Sequence, residues 1–308
     1  MKANEVRDLG EESLPIGAGE AVREDRGSRA WREIWSAIRH DKRALAGLCI
    51  IVSFATIGLI APYASPYDPF ALLGAPYQPP SWRHILGTDN LGRDVLSQVI
   101  WGARVSLFVG IVVALVVTAI GVTVGLIAAT SHSLVDEVLM RFCDILIIIP
   151  KLPLTIFVAA MLGRGIWNII AVLAAFGWPA MARMVRSEAL SVKQRPYVDA
   201  ARMAGASQLQ ITFLIILPNI LPLVMANAIL TIISGIMSEA SLSFLGLGDP
   251  SQMSWGTIIY FAQMGGAIYN GGWAWVTAPG LCIALMGLGT NFFGSTVNLI
   301  ANPRLRRR

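Results

Sequence analysis

The chain has 308 residues, of which 55% are hydrophobic and only 14% charged, against about 25% charged in a soluble domain. No Asp, Glu, Lys or Arg occurs from Val105 to Val135, and none between Asp249 and Arg304. Stretches of that kind identify a polytopic all-α membrane protein and exclude a β-barrel, whose strands alternate apolar and polar residues over about ten positions. The net charge of +5 gathers at the ends of the apolar runs, which is a membrane-topology pattern and argues against nucleic acid as a partner.

Residues 1–28 mix acids and bases with few apolar groups and read as a disordered tail. Trp31, Ile34, Trp35 and Ile38 then recur at i, i+3, i+4 and i+7. With Arg32, Arg39 and Lys42 elsewhere on the wheel, they predict an amphipathic helix over 29–43 lying against membrane lipid. The first apolar run begins only at Ala44, too late for a cleavable signal peptide. Span one is Ala44 to Ala61, followed by a Pro- and Tyr-rich loop reaching residue 104. Span two is predicted from Val105 to Ala129, and span three from Leu139 to Leu162, interrupted by Pro150 and Pro153. A Gly-Arg-Gly turn, 163–165, leads into span four, Ile166 to Ala182, with helix extending toward Leu190. Span five is Ile211 to Met237 and span six Trp273 to Ile300. The divisions are thus a tail, 1–43; a first span and loop, 44–104; a core of five spans, 105–300; and a basic tail, 301–308. Gly121 and Gly125 form a GxxxG in span two and predict close helix packing.

Lys and Arg counting orients the spans. With the N-terminus inside, Arg29, Arg32, Arg39, Lys42, Arg43, Arg183, Arg186, Lys193, Arg195, Arg202, Arg304, Arg306, Arg307 and Arg308 are cytoplasmic. Only Arg83, Arg93, Arg104 and Arg164 fall outside. Six spans with both termini inside follow, and the segment between spans four and five, 183–210, is cytoplasmic.

Ionisable groups within spans are costly and mark candidate sites. Asp144 follows Arg141 by three residues on one helical face and is expected to form a local ion pair with it, ahead of a transport role. Lys151, between Pro150 and Pro153, is free to snorkel, to line an aqueous path or to pair with a carboxylate. Glu239 in span five either caps a following short helix or faces the pathway. Asn227, Ser234 and Asn291 complete the polar positions along the candidate path, each with helix hydrogen bonding as its simpler explanation. Cys49, Cys143 and Cys282 lie singly in apolar runs and His40, His84 and His132 are scattered, so neither a disulfide framework nor a metal site is expected. The sequence has no GxxxxGK[ST], HExxH or GxSxG and no convincing pair of carboxylates, so no catalytic function is expected.

The loop between spans four and five is more definite than a connection requires. Pro196 opens a run of helix formers through Ala204, and Gly205 offers a left-handed stop. Ser207 and Gln210 then spell a capping box for the helix that enters span five. Val198, Ala201, Arg202 and Gly205 share a face of the short helix. On pattern alone, an incidental loop and a docking element stand equally open.

The extended loop resembles the signature of permease subunits of binding-protein-dependent ABC transporters. That signature reads Glu-Ala-Ala, three residues, Gly, nine residues, Ile, any residue, Leu-Pro. Here Asp199, Ala200, Ala201, Gly205, Ile215, Leu217 and Pro218 keep every spacing, with Asp for Glu as the one departure. The stretches LGTDNLGRDVLSQVIWGARVSL, MRFCDILIIIP, SEASLSFLGLGDPSQMSWG and the closing NPRLR resemble the dipeptide, oligopeptide and nickel permease group. IAPYASPYDP resembles the type with an N-terminal extension. The likeness covers about residues 30–305, departing at Ser295 and Asn302, where the group usually carries acidic residues. It implies the type I ABC importer permease fold in a bacterial or archaeal inner membrane and import of short peptides by alternating access. The implied partners are a second homologous permease, two cytosolic ATPase subunits and an extracytoplasmic substrate-binding protein. ATP and Mg belong to the ATPases, with no cofactor on this chain. Asp199 to Gly205 would be the coupling helix seated in an ATPase groove. Nickel chelates, glutathione and opine-like solutes are the alternatives within the group. Outside it stand an ion-driven secondary transporter using Asp144, Lys151 and Glu239 as a relay, and a non-transporting membrane scaffold.

Overall fold

The computed structural model describes residues 39 and 41–301. In chain order its helices are α1, Lys42–Ala64; α2, Val95–Thr130; α3, Ser133–Ile148; α4, Lys151–Leu162; and α5, Ile166–Lys193. They continue with α6, Pro196–Met203; α7, Gln208–Leu247; α8, Trp255–Met264; and α9, Trp273–Ala301. Among the described residues there is no strand, only an isolated bridge between Thr88 and Asp94. Most of the amphipathic helix expected over 29–43, and all but the first residue of the tail 301–308, lie outside the described residues.

Five helices, α1, α2, α5, α7 and α9, are each long and apolar enough to cross a membrane. The α3–α4 pair qualifies only as a unit, bent by 89°, and counting it as one span gives six. The bend has a local cause. Ile149 precedes Pro150, whose ring disfavours helical geometry in the residue before it, and Ile149 is extended at φ −69°, ψ 128°. Pro150 is itself extended at φ −57°, ψ 115°, and helix resumes at Lys151.

Helix α2 is the axis of the bundle. Its 36 residues reach about 54 Å, well beyond a hydrocarbon core of about 30 Å. It begins ten residues before the charge-free run, because Asp94 caps it. The Asp94 carboxylate accepts the Ser97 amide at 2.8 Å and the Ser97 hydroxyl at 2.7 Å. Glycines let α2 approach its neighbours closely, as the GxxxG predicted. A Cβ on Gly121 would lie 2.5 Å from Met181 Cγ, and one on Gly125 2.6 Å from the Ala182 carbonyl oxygen, both on α5. Farther along, Gly110 faces Gly235 of α7. The resulting core joins Val113, Val117 and Leu126 of α2 to Leu173, Met181 and Val185 of α5 and to Ile220 and Val224 of α7.

Helix α1 packs on α9, where a Cβ on Gly47 would strike the Gly289 carbonyl. Asp41 caps α1 by accepting the Arg43 amide and also accepts the Thr296 hydroxyl of α9 at 2.7 Å. The Thr296 and Arg43 hydrogen bonds together hold the Asp41 carboxyl below its ordinary range.

At the other end of the bundle the 65–94 loop is folded, not loose. Asp89 binds the Arg93 guanidinium at 2.5 Å and accepts Gln98 Nε2 at 2.8 Å, while Trp275 Nε1 donates to Gln98 Oε1 at 3.2 Å. The Tyr77 hydroxyl donates to the Gly265 carbonyl. Each buried polar group here has a partner, and the loop is sealed against α2, α8 and α9. Val95, Val99, Trp255, Ile258 and Trp275 form the apolar floor beneath it.

Candidate functional site

The segment between α5 and α7 has the shape expected from its residues. Pro196 opens α6, where its missing N–H is harmless. The helix ends in a two-bond lock: the Ala206 amide donates to the Ala201 carbonyl and the Gly205 amide to the Arg202 carbonyl, each at 3.0 Å. That Schellman geometry requires a left-handed residue, and Gly205 has φ 85°. Ser207 then caps α7. Its oxygen accepts the Gln210 amide at 3.3 Å, and its own amide donates to Gln210 Oε1 at 2.8 Å.

One side chain anchors this excursion. Val198 is fully buried, in the same core as Val192, Ile211 and Ile216, a burial that contributes about 1.5–3 kcal/mol. The face shared by Val198, Ala201, Arg202 and Gly205 is therefore not all free surface, since Val198 points inward. What projects is Tyr197, Asp199, Ala200 and Met203, the last 84% exposed. Asp199 pairs with Arg202 at 3.0 Å across one turn. Leu217 and Pro218 occur where α7 leaves a wide turn, Ile211–Ile216, in which the Leu217 amide reaches back to the Thr212 carbonyl. A proline within a helix clashes with the carbonyl four residues earlier, and a turn with five-residue spacing opens the room it needs.

Cations tie the base of the loop to the bundle. Lys193 Nζ donates to the Ala129 carbonyl at the end of α2, at 2.9 Å. Arg186 grips Asp136 of α3 with two bonds, of 2.9 and 2.6 Å. Arg183 pairs with Asp144 at 3.2 Å. The last contact corrects the expected Arg141–Asp144 pair: Arg141 instead meets Glu137, four residues before it, at 3.7 Å. An acid four positions N-terminal to a base is the favoured order on a helix, and that leaves Asp144 to the longer reach of Arg183 on α5.

Within the membrane-spanning part, a cavity of 230 Å³ opens between α2, α5 and α7 and the first residue of α4. It is lined by Lys151 and by Asn227, Thr231, Ser234 and Ser238. The last four recur at intervals of four, three and four residues, one stripe along α7. Lys151, Asn227 and Ser234 are candidate pathway residues from the sequence; Thr231 and Ser238 join them here, on the same helical spacing. Asp144 and Glu239 are not among the lining residues. Glu239 is buried at the join of α2, α7 and α8, where it accepts the Ser243 hydroxyl at 2.6 Å, the Ser254 hydroxyl at 2.7 Å and the Ser106 hydroxyl at 3.5 Å. Ser254 is the N-cap of α8, so Glu239 supports the cap of a following short helix and sits away from the cavity. Asn291 does not line the cavity either. No group of His, Cys, Asp and Glu suited to a metal ion occurs among the described residues.

Residues 121–307 match the family described as binding-protein-dependent transport system inner membrane component. Residues 29–80 match the N-terminal TM domain of oligopeptide transport permease C. The chain is 35% identical to the di/tripeptide transport system permease protein DppC of Pseudomonas aeruginosa, over 89% of this chain and 92% of that one. It is also 35% identical to the oligopeptide transport system permease protein OppC of Bacillus subtilis, over 96% and 97% of the two chains. To the dipeptide transport system permease protein DppC of the same organism it is again 35% identical, over 90% and 86%. These are subunits of bacterial inner-membrane transport complexes whose membrane chain is a permease and not a catalyst. The chain belongs to the inner-membrane permease components of binding-protein-dependent ABC transport systems, in the peptide and oligopeptide permease group with the N-terminal extension.

Proposed function

We propose that this chain is one of two permease subunits of an ATP-driven importer of short peptides, and that α6 is the coupling helix through which ATPase motion reaches the membrane. The observation that carries the reading is the build of the α5–α7 loop. It projects an eight-residue helix, fixes its direction by burying Val198, and locks the turn into α7 with a stop at Gly205 and a cap at Ser207. An incidental connection has no need of two capping motifs and a core anchor. The peptide substrate is supported by the names of relatives that align over nearly their whole length.

On this reading α6 and both termini face the cytoplasm, in keeping with the Lys and Arg distribution. A second homologous permease completes the pathway. Two ATPases carry ATP and Mg, and a binding protein delivers solute on the opposite side. Closure of the ATPases moves the two coupling helices together. Since α6 and α7 are joined by one locked turn, that motion passes into α7, which lines the cavity. This is rigid-body switching between two states biased by a ligand on another chain.

The test is reconstitution of the chain with its partner subunits and binding protein in liposomes. Uptake of a labelled dipeptide is expected with internal or external ATP on the ATPase side, and none with an imposed proton or sodium gradient alone. Uptake driven by the gradient without ATP would overturn the reading.

A further inference from the structure

We infer that Lys151 and the hydroxyl and amide stripe of α7 form a transient binding site for the carboxylate end of the solute in transit, with Lys151 as its countercharge. The identity of that solute as a peptide rests on the reading above.

Lys151 is the one charged side chain among the residues lining the 230 Å³ cavity. Asp136 is engaged with Arg186, Asp144 with Arg183, Glu137 with Arg141 and Glu239 with three serines, while Glu188, one turn along α5 from the lining residue Met184, is not among the residues that line the cavity. No carboxylate among the described residues pairs with Lys151. Its position is also unfavourable by local electrostatics. It is the first residue of α4, where the helix dipole opposes a cation, and it stands at a break within the membrane-spanning region, where a charge is costly. The fold gives this cation no compensating anion, and the cavity is open to receive one.

The remaining lining, a polar stripe on α7 facing apolar residues of α2 and α5, fits a peptide better than it fits a bare ion. Asn227 and Thr231 already form hydrogen bonds within α7, through Asn227 Nδ2 to the Leu223 carbonyl and Thr231 Oγ1 to the Asn227 carbonyl. Ser234 and Ser238 stand farther along the same stripe. Hydroxyl and amide groups both donate and accept, so they suit backbone N–H and C=O groups in any side-chain context. A peptide's α-carboxylate is ionised at neutral pH whatever its sequence. One cation followed by adaptable polar groups therefore recognises what all short peptides share. The site is single-charged and half open, which suits passage: a solute must bind well enough to enter and weakly enough to leave.

The experiment uses the full reconstituted complex with Lys151→Met, Lys151→Arg and Lys151→Glu. Dipeptide uptake and ATP hydrolysis stimulated by the loaded binding protein are measured together. The expected result is a tenfold or greater loss of uptake per ATP hydrolysed in Lys151→Met, a larger loss in Lys151→Glu, and near-complete retention in Lys151→Arg. Uptake unchanged in Lys151→Met, or equal loss in the Met and Arg variants, overturns the inference. A second arm does not depend on the solute. Lys151→Cys, in a background with Cys49, Cys143 and Cys282 changed to alanine, is reacted with anionic and cationic methanethiosulfonates. Reaction with both water-soluble reagents is expected. Failure of both shows that position 151 faces lipid and overturns the inference. A wild-type complex that takes up no dipeptide refutes the peptide reading instead, and the labelling arm still decides whether Lys151 faces the cavity.

Discussion

Ser254 donates its hydroxyl to the buried Glu239 carboxylate at 2.7 Å, and the same oxygen accepts the Thr257 amide, at 3.1 Å, that opens α8. The pair joins α7 to α8, and Ser106 brings in α2 by donating to Glu239 while accepting the Trp255 amide at 3.1 Å. A carboxylate held by three hydroxyls at the meeting of three helices is placed to organise them. Glu239→Ala removes the shared acceptor and is expected to destabilise the folded chain by about 2–3 kcal/mol. Glu239→Gln keeps an acceptor and should cost about 1 kcal/mol. Thermal unfolding of the detergent-solubilised protein, followed by tryptophan fluorescence, measures both. If Glu239→Ala abolished uptake with unfolding unchanged, Glu239 would instead be a pathway group.

Much of this molecule can be read along the chain, and the boundary of what can be read is physical. Caps and stops are written within a few residues, so the Gly205 lock and the Ser207–Gln210 box are visible before any packing is known. The apolar runs show where spans lie, but not where helices end: α2 starts at Val95 because Asp94 caps it, ten residues before the charges stop. Pro150 and Pro153 mark a break, but a proline does not say by how much the chain turns there, which is 89°. Ion pairing was the least legible feature. Spacing offers Asp144 only a local partner, and the arginine it meets lies 39 positions away on α5. Thr231 and Ser238 share the helical period of Asn227 and Ser234, but nothing in the period says that this face lines a cavity.

Two glycines separate the demand for space from the demand for conformation. At Gly125 a Cβ would come within 2.6 Å of a backbone carbonyl on α5, so Gly125→Ala is expected to push α2 from α5 at about 1–3 kcal/mol. At Gly205 a Cβ would meet no atom within 4 Å, but φ is 85°. Gly205→Ala should cost about 1–2 kcal/mol, confined to the turn, because the left-handed conformation is strained for a residue with a Cβ. The check is thermal unfolding alongside coupling. Gly125→Ala should lower the midpoint more, whereas Gly205→Ala should lower it less and chiefly reduce uptake per ATP hydrolysed. Gly205→Pro also removes the N–H that bonds to Arg202 and should uncouple more severely.

The two pairs between α3 and α5 differ in depth. Arg186–Asp136 is bidentate and its side chains are 34% and 21% exposed, whereas Arg183–Asp144 is single and about half exposed. Exposed pairs contribute about 0–1 kcal/mol, and bidentate, partly buried ones more. Asp136→Asn is therefore expected to destabilise the chain more than Asp144→Asn. The swap Asp136→Arg with Arg186→Asp should recover part of the loss. Equal sensitivity of the two sites in unfolding measurements would show that α3 is held by apolar contact alone.

The last prediction separates the anchor of α6 from its exposed side. Val198 is fully buried in the bundle core, while Met203, five residues on, is 84% exposed and touches little of this chain. If α6 transmits motion, both ends of the transmission matter, but in different ways. Val198→Ala removes two methyl groups from the core and should cost about 1–2 kcal/mol. It loosens the link to Ile211 and Ile216, so the ATPases should still bind while uptake per ATP hydrolysed falls. Met203→Asp should leave unfolding unchanged and weaken ATPase association, because it places a charge on the surface that would meet the partner. Co-purification of the ATPase subunits and the ratio of uptake to hydrolysis read the two effects independently. Wild-type behaviour of both variants in both assays would leave α6 with no part in coupling, and the work of ATP would then have to enter this chain by another surface.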